Sequence, residues 1–233
     1  MNRRIVFILS AVAWTAIQAA EYSASFYEIG SNRSKKLYSF QSQSTEADGV
    51  TTQNFVTKDL EGKDVVVEKG QIRGDQLIKY EMDHRQLNAK ATIEIKGEEI
   101  LFTETRDGKT KTDSEKKKGD VLVSANFVPY IQKNWDKLKA GEALDIRYAV
   151  WDRRETVGFT FMKIGEEKVG DKNALVFRMK PTSFVIAALV DPLILKFSEA
   201  DKKLLELKGR VQAKNKVGEK WKDLDAEVIY AYP

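Results

Sequence analysis

Apolar and polar residues alternate with a period of two along most of this chain, and that habit confines it to a β-rich fold. Tyr22, Ala24 and Phe26 are spaced by Ser23 and Ser25, while Leu144, Ile146, Tyr148 and Val150 lie opposite Asp145 and Arg147. Such a period puts successive side chains on opposite faces of a pleated strand, one buried and one wet. The same reading predicts strands at 37–43, 52–58, 65–68, 77–82, 92–96, 100–104, 157–164, 174–179, 193–197, 204–207 and 226–232. Asp48-Gly49, Gly62-Lys63, Gly97-Glu98, Asp107-Gly108, Gly170-Asp171 and Gly218-Glu219 fall between them, where tight hairpins need a positive φ. The expected product is an antiparallel meander.

The first twenty residues follow another logic. Arg3 and Arg4 precede an apolar run from Ile5 to Trp14 that ends in small residues around Ala19 and Ala20. A basic start, a short apolar middle and a small-residue end predict an export signal at 1–20, cleaved after Ala19 or Ala20. The run is too short to anchor the chain in a bilayer, so the mature protein, 21–233, is expected to be periplasmic or secreted, with no transmembrane helix. It reads as a single domain, a length that all-β folds often reach undivided.

Composition excludes several function classes. The chain has no cysteine, hence no disulfide, no thiol nucleophile and no lipidated N-terminal cysteine. Of its 39 basic side chains, Arg3 and Arg4 would leave with the signal, so 37 would face 35 acidic ones. That near balance speaks against nucleic-acid binding. The densest basic run, Lys109 to Lys118, is interrupted by Asp113 and Glu115 and reads as a solvated loop. His84, the single histidine, reads as a surface or edge residue, since a zinc site or a catalytic triad needs companions that the chain does not supply. Glu98-Glu99 and Glu166-Glu167 read as solvated turn acids. No glycine-rich phosphate loop appears, so neither a cofactor nor a metal is expected, and no catalytic residue is assigned.

Two segments can cover a large sheet. In 126–140, Phe127, Ile131, Trp135 and Leu138 recur at helical spacing, with Pro129 expected in the first turn and Gly141 as terminator. Ser183 to Val190 is short, apolar on nearly every side and bounded by Pro181 and Asp191-Pro192, which suits a buried or groove-lining helix. The expected fold is therefore mainly β with minor α: a large curved antiparallel sheet or partly open barrel, with about two helices on its concave side.

This layout resembles the periplasmic lipoprotein-carrier architecture, an unclosed β-barrel with helices on its concave side. The stretch from Phe127 to Gly209 also resembles an uncharacterised family of exported bacterial proteins. Its landmarks here are Trp135, Leu138 and Gly141, then Arg153-Arg154-Glu155-Thr156 leading to Phe159, then Asp191-Pro192-Leu193 and Leu204, Leu207 and Gly209. The resemblance implies an envelope compartment and a curved β fold, and no reaction.

The residues with most to offer a ligand are Phe127, Ile131 and Trp135 on the first helix, Phe184, Ile186 and Leu189 on the second, and the Arg153-Arg154 pair. The apolar ones suit either a core or an acyl-chain groove. The arginines suit either an anionic head group or a charged strand end. Three functions remain open: binding of a lipid or lipidated peptide between sheet and helices, docking of another envelope protein through a sheet edge or apolar helix, and metal-independent catalysis by carboxylates.

Overall fold

Period-two patterning builds one sheet of fifteen strands in this protein, whose computed structural model describes residues 17–188 and 190–233. Positions 1–16 of the expected export signal lie outside the described residues, as does Leu189. In chain order the strands are β1 (Ile17–Glu28), β2 (Lys36–Ala47), β3 (Val50–Lys58), β4 (Asp64–Arg73), β5 (Gln76–His84), β6 (Ala89–Lys96), β7 (Glu99–Arg106), β8 (Lys109–Lys116), β9 (Val121–Leu122), β10 (Leu144–Val150), β11 (Glu155–Val169), β12 (Lys172–Pro181), β13 (Leu193–Ser198), β14 (Leu204–Val217) and β15 (Lys220–Ala231). Three α-helices accompany them among the described residues: α1 (Ser124–Lys133), α2 (Trp135–Lys139) and α3 (Phe184–Ala187). Asp48-Gly49 and Asp107-Gly108 both have positive φ at each residue, the geometry that a two-residue hairpin demands.

The strand order is β8-β7-β6-β5-β4-β3-β2-β1-β15-β14-β13-β12-β11-β10-β9. Every pairing is antiparallel except β9 with β10, where Arg147 faces Val121 in a parallel register. The first and last strands meet in the middle, Ser23 opposite Ala231. The ladder does not close, because β8 and β9 are its two edges. Yet those edges are consecutive in sequence, and the connection from Lys116 to Val121 reaches at most about 18 Å. Laid flat, strands about 4.8 Å apart would put the outer edges about 67 Å apart. The sheet must therefore curl until its edges approach.

Side chains seal the seam. Arg154, in the turn between β10 and β11, donates to Asp113 on β8 at 2.6 Å and to Glu104 on β7 at 2.6 Å. Thr156 donates its hydroxyl and its backbone N–H to Glu115 on β8. A second brace crosses the interior. The β14–β15 register shifts between Val211 and Lys214. The intervening Gln212 carbonyl accepts from His84 Nε2 at 2.9 Å, and the Lys214 backbone exchanges hydrogen bonds with the Gln86 side chain.

Three hydrophobic clusters fill the curl. One joins β3 to β7 with Val121, Ala125 and Trp151; one joins α1, α2 and β10 to β13; one lies on β1 and β15. In the second, Phe161 stacks on Phe177 at 5.1 Å and Trp135 meets Phe177 edge-on at 5.9 Å. Gly70 seats α1 on β4, since a Cβ there would stand 2.1 Å from the Ala125 Cβ.

Several sequence expectations need correction. Residues 109–116 form β8 rather than a loop: an edge strand held by backbone pairing to β7 has no need of apolar alternation. Glu166 and Glu167 lie within β11, which continues past the core into solvent. His84 is fully buried, in phase with Tyr80 and Met82 on the inner face of β5. The 126–140 helix starts at Ser124 and breaks at Asn134, so Pro129 sits inside α1 and not in its first turn. The early start follows from Asn126, whose Oδ1 accepts the Val123 N–H at 2.8 Å and caps the helix from within.

Candidate ligand-binding cavity

The three clusters leave a cavity of about 570 Å³ where they meet, within the range of small-molecule sites. Its walls are mostly apolar and aromatic. The strands β1 to β3 contribute Tyr22, Phe26, Phe40 and Phe55, α1 contributes Phe127 and Val128, and β14 and β15 contribute Leu207, Val228 and Tyr230. Tyr148 and Phe159 come from β10 and β11, Met179 from β12, and Ile186 from α3. Tyr22 links the rings into one surface, 5.9 Å from Phe40 and 6.1 Å from Tyr230 between centroids.

Charge collects at the rim. Asp152, Arg153, Asp191 and Asp223 line the cavity and are exposed. The rim bases already hold acids: Arg153 pairs with Glu155, and Arg210 and Lys214 share Asp223. In the buried wall stands one carboxylate, Glu68 on β4, only 4% exposed. Its Oε1 accepts from Tyr80 OH at 2.6 Å and from Ser124 Oγ at 2.6 Å. Burial pushes its pKa above the ordinary carboxylate value, and the two hydroxyl donors only partly offset that. Burial likewise raises the nearby phenols, Tyr22 to about 12, with the Glu68 charge adding to the effect. Tyr148 and Tyr230 shift the same way for the same two reasons, Tyr230 also feeling neighbouring tyrosines.

The residues singled out in the sequence separate into groups. Phe127, Arg153 and Ile186 line the cavity. Ile131 and Trp135 are buried in the cluster beneath α1 and α2, away from the cavity wall. Arg154 belongs to the seam, and Phe184 points outward at 87% exposure beside Val185 at 69%. Sequence reasoning passed over Glu68 and its tyrosines. A signal existed, because Glu68 shares the inward phase of β4 with Val66, Gly70 and Ile72.

Among the described residues no group of His, Cys, Asp and Glu could hold a metal ion, and no helix is long and apolar enough to cross a membrane. No protein-family model and no curated protein matches the chain. A crystal structure of a porin-like protein from Bacteroides uniformis ATCC 8492 aligns over 92% of this chain and 97% of its own length, at 7% identity and a TM-score of 0.25.

Proposed function

We propose that this is an exported envelope protein that holds an apolar or amphipathic ligand, a lipid or the acyl part of a lipidated peptide, inside its curled sheet. The observation that carries the reading is the cavity: about 570 Å³ of aromatic-walled space between otherwise packed clusters. Each methylene moved from water into such a space contributes about 0.8 kcal/mol, so a long chain binds well without specific contacts. Residues 1–20 supply the export route; cleavage after Ala19 or Ala20 removes the Ile17–Ala19 pairs of β1 with β2 and keeps the Ser23–Ala231 register of β1 with β15.

Native mass spectrometry of protein taken from its own envelope tests the proposal. The expected spectrum shows bound lipid that organic extraction removes and added phospholipid or fatty acid restores. Leu207→Trp, which fills the cavity, and Ile186→Asp, which charges its wall, are expected to abolish loading while far-ultraviolet circular dichroism stays unchanged. Wild-type protein that arrives empty and takes up none of these would overturn the reading.

One observation favours a second reading, docking of another envelope protein: Phe184 and Val185 stand exposed side by side on α3. It predicts that Phe184→Asp loses a stoichiometric partner in a pull-down from envelope extract while lipid loading survives.

A further inference from the structure

The described residues contain four buried acids, and Glu68 differs from the other three. Asp75 receives Lys133 at 2.8 Å, Glu104 receives Arg106 at 2.9 Å and Arg154 at 2.6 Å, and Glu206 receives Arg33 at 2.6 Å and Lys196 at 2.7 Å. Glu68 has two hydroxyl donors and no base, and it is the one of the four on the cavity wall. Both hydroxyls bond the same oxygen, Oε1. A desolvated carboxylate with no counter-charge must take a proton or a cation. The contrast with Glu206 makes the point: burial would raise that carboxyl too, but Lys196 and Arg33 outweigh it and hold it below the usual value.

The surroundings of Glu68 suit a cation better than a second acid or a neutral group. Tyr22, Tyr148 and Tyr230 line the same cavity, and each phenol lies close enough to feel the Glu68 charge. Ring faces around a carboxylate attract an alkylated or primary ammonium through the aromatic quadrupole as well as the charge. No lysine or arginine is among the groups that set the Glu68 carboxyl, and the cavity's bases, Arg153, Arg210 and Lys214, are already paired with acids. At the rim, the exposed acids Asp152 and Asp191 make no close ion pair among the described residues, Asp191 only feeling Arg210 at longer range, whereas the bases there are paired. An entering cation would meet a favourable path.

We propose that the cavity is selective for a cationic amphiphile, an apolar chain bearing an ammonium or quaternary nitrogen, with Glu68 as its counter-charge and Tyr22, Tyr148 and Tyr230 as its aromatic enclosure. This rests on the reading of the cavity as a ligand site and names the head group it takes. The test compares one chain with four heads, below the micelle concentration: dodecyltrimethylammonium, dodecylamine, dodecanol and dodecanoate, titrated calorimetrically and by the fluorescence of Trp151 on the cavity wall.

Wild-type protein is expected to bind both nitrogen compounds at least about tenfold more tightly than dodecanol, a modest effect for a desolvated charge pair, and dodecanoate more weakly than dodecanol. Glu68→Gln keeps an acceptor for Tyr80 and Ser124 and is expected to erase the preference of the nitrogen compounds over dodecanol. Tyr148→Leu should shrink the preference for the quaternary compound even if Glu68→Gln fails to fold. Equal binding of all four, tighter dodecanoate, or a preference that survives Glu68→Gln would overturn the selectivity and leave the apolar cavity standing. Failure of every compound, dodecanol included, would overturn the cavity reading itself.

Discussion

His84 and Glu68 are buried ionisable residues whose pH dependences run in opposite directions. The carbonyl of Gln212 can only accept, so His84 Nε2 carries the proton and Nδ1 is left buried without a partner. Burial is the largest cause of its lowered pKa, ahead of the Gln212 bond that opposes it. The unfolded chain then binds more protons than the native one below the usual 6.5, so this contribution to stability falls as pH drops through 6.5 toward the folded value. His84→Gln is expected to cost about 1–2 kcal/mol at pH 7.5 through the lost brace, and less at pH 5.5, as urea midpoints would show. Glu68 behaves conversely. Its raised pKa favours the native state below the usual 4.5 and penalises it as pH rises through the folded value, so Glu68→Gln should gain on the wild type between pH 5 and pH 8. A constant difference across that range would mean that the Glu68 carboxyl is not desolvated. Both residues were legible by phase, His84 with Met82 and Glu68 with Val66, but the strands predicted at 77–82 and 65–68 stop short of His84 and at Glu68, where Asp83 and Lys69 interrupt the apolar run.

Among the elements, α1 shows how one missing side chain fixes a helix. Gly70 on β4 accepts the Ala125 methyl at a distance no Cβ would tolerate, and Ser124 and Phe127 are aimed at Glu68 and the cavity from that seat. Gly70→Ala should destabilise the fold by about 1–3 kcal/mol, the usual cost of overpacking. Adding Ala125→Gly should recover part of that loss, despite the roughly 1 kcal/mol a helical glycine costs alone. Additive costs in a denaturant double-mutant cycle would place the constraint elsewhere. The elements that patterning revealed most clearly are those with one buried face, such as β5 and β7. It missed β8, whose residues are exposed on both faces but for Glu115, and it misplaced the start of α1, because Val123 lacks a capping oxygen and Asn126 reaches back to supply one. Helical spacing put Phe127, Ile131 and Trp135 on one stripe, yet could not tell that Phe127 meets the cavity while Trp135 meets Phe177 and Phe197.

At the scale of the molecule, the curl follows from connectivity, since the short link from Lys116 to Val121 ties together two edges of an unclosed sheet. The seam it holds is otherwise made of side chains, Arg154 to Glu104 and Asp113 and Thr156 to Glu115, with no backbone ladder between β8 and β9. The Tyr22 end of β1 and the end of β15 lie together at the middle of the strand order, Ser23 facing Ala231, so a short glycine-serine linker from Pro233 to Tyr22 should be accommodated in a chain of residues 22–233. Two permutants of that linked chain separate the contributions. Opening the β14–β15 hairpin at Gly218 leaves the edge tether in place and is expected to preserve both hydrogen-exchange protection in β7 and ligand loading. Opening 117–120 removes the tether and leaves two free edges held by a few ion pairs, which salt screens. That permutant should exchange β7 and β8 amides faster, lose protection further in high salt, and associate through its exposed strands, as light scattering would report. Identical exchange in the two permutants would mean that the interior brace of His84, Gln86 and Gln212 is enough to hold the curl, and that the short link merely follows a shape set by the core.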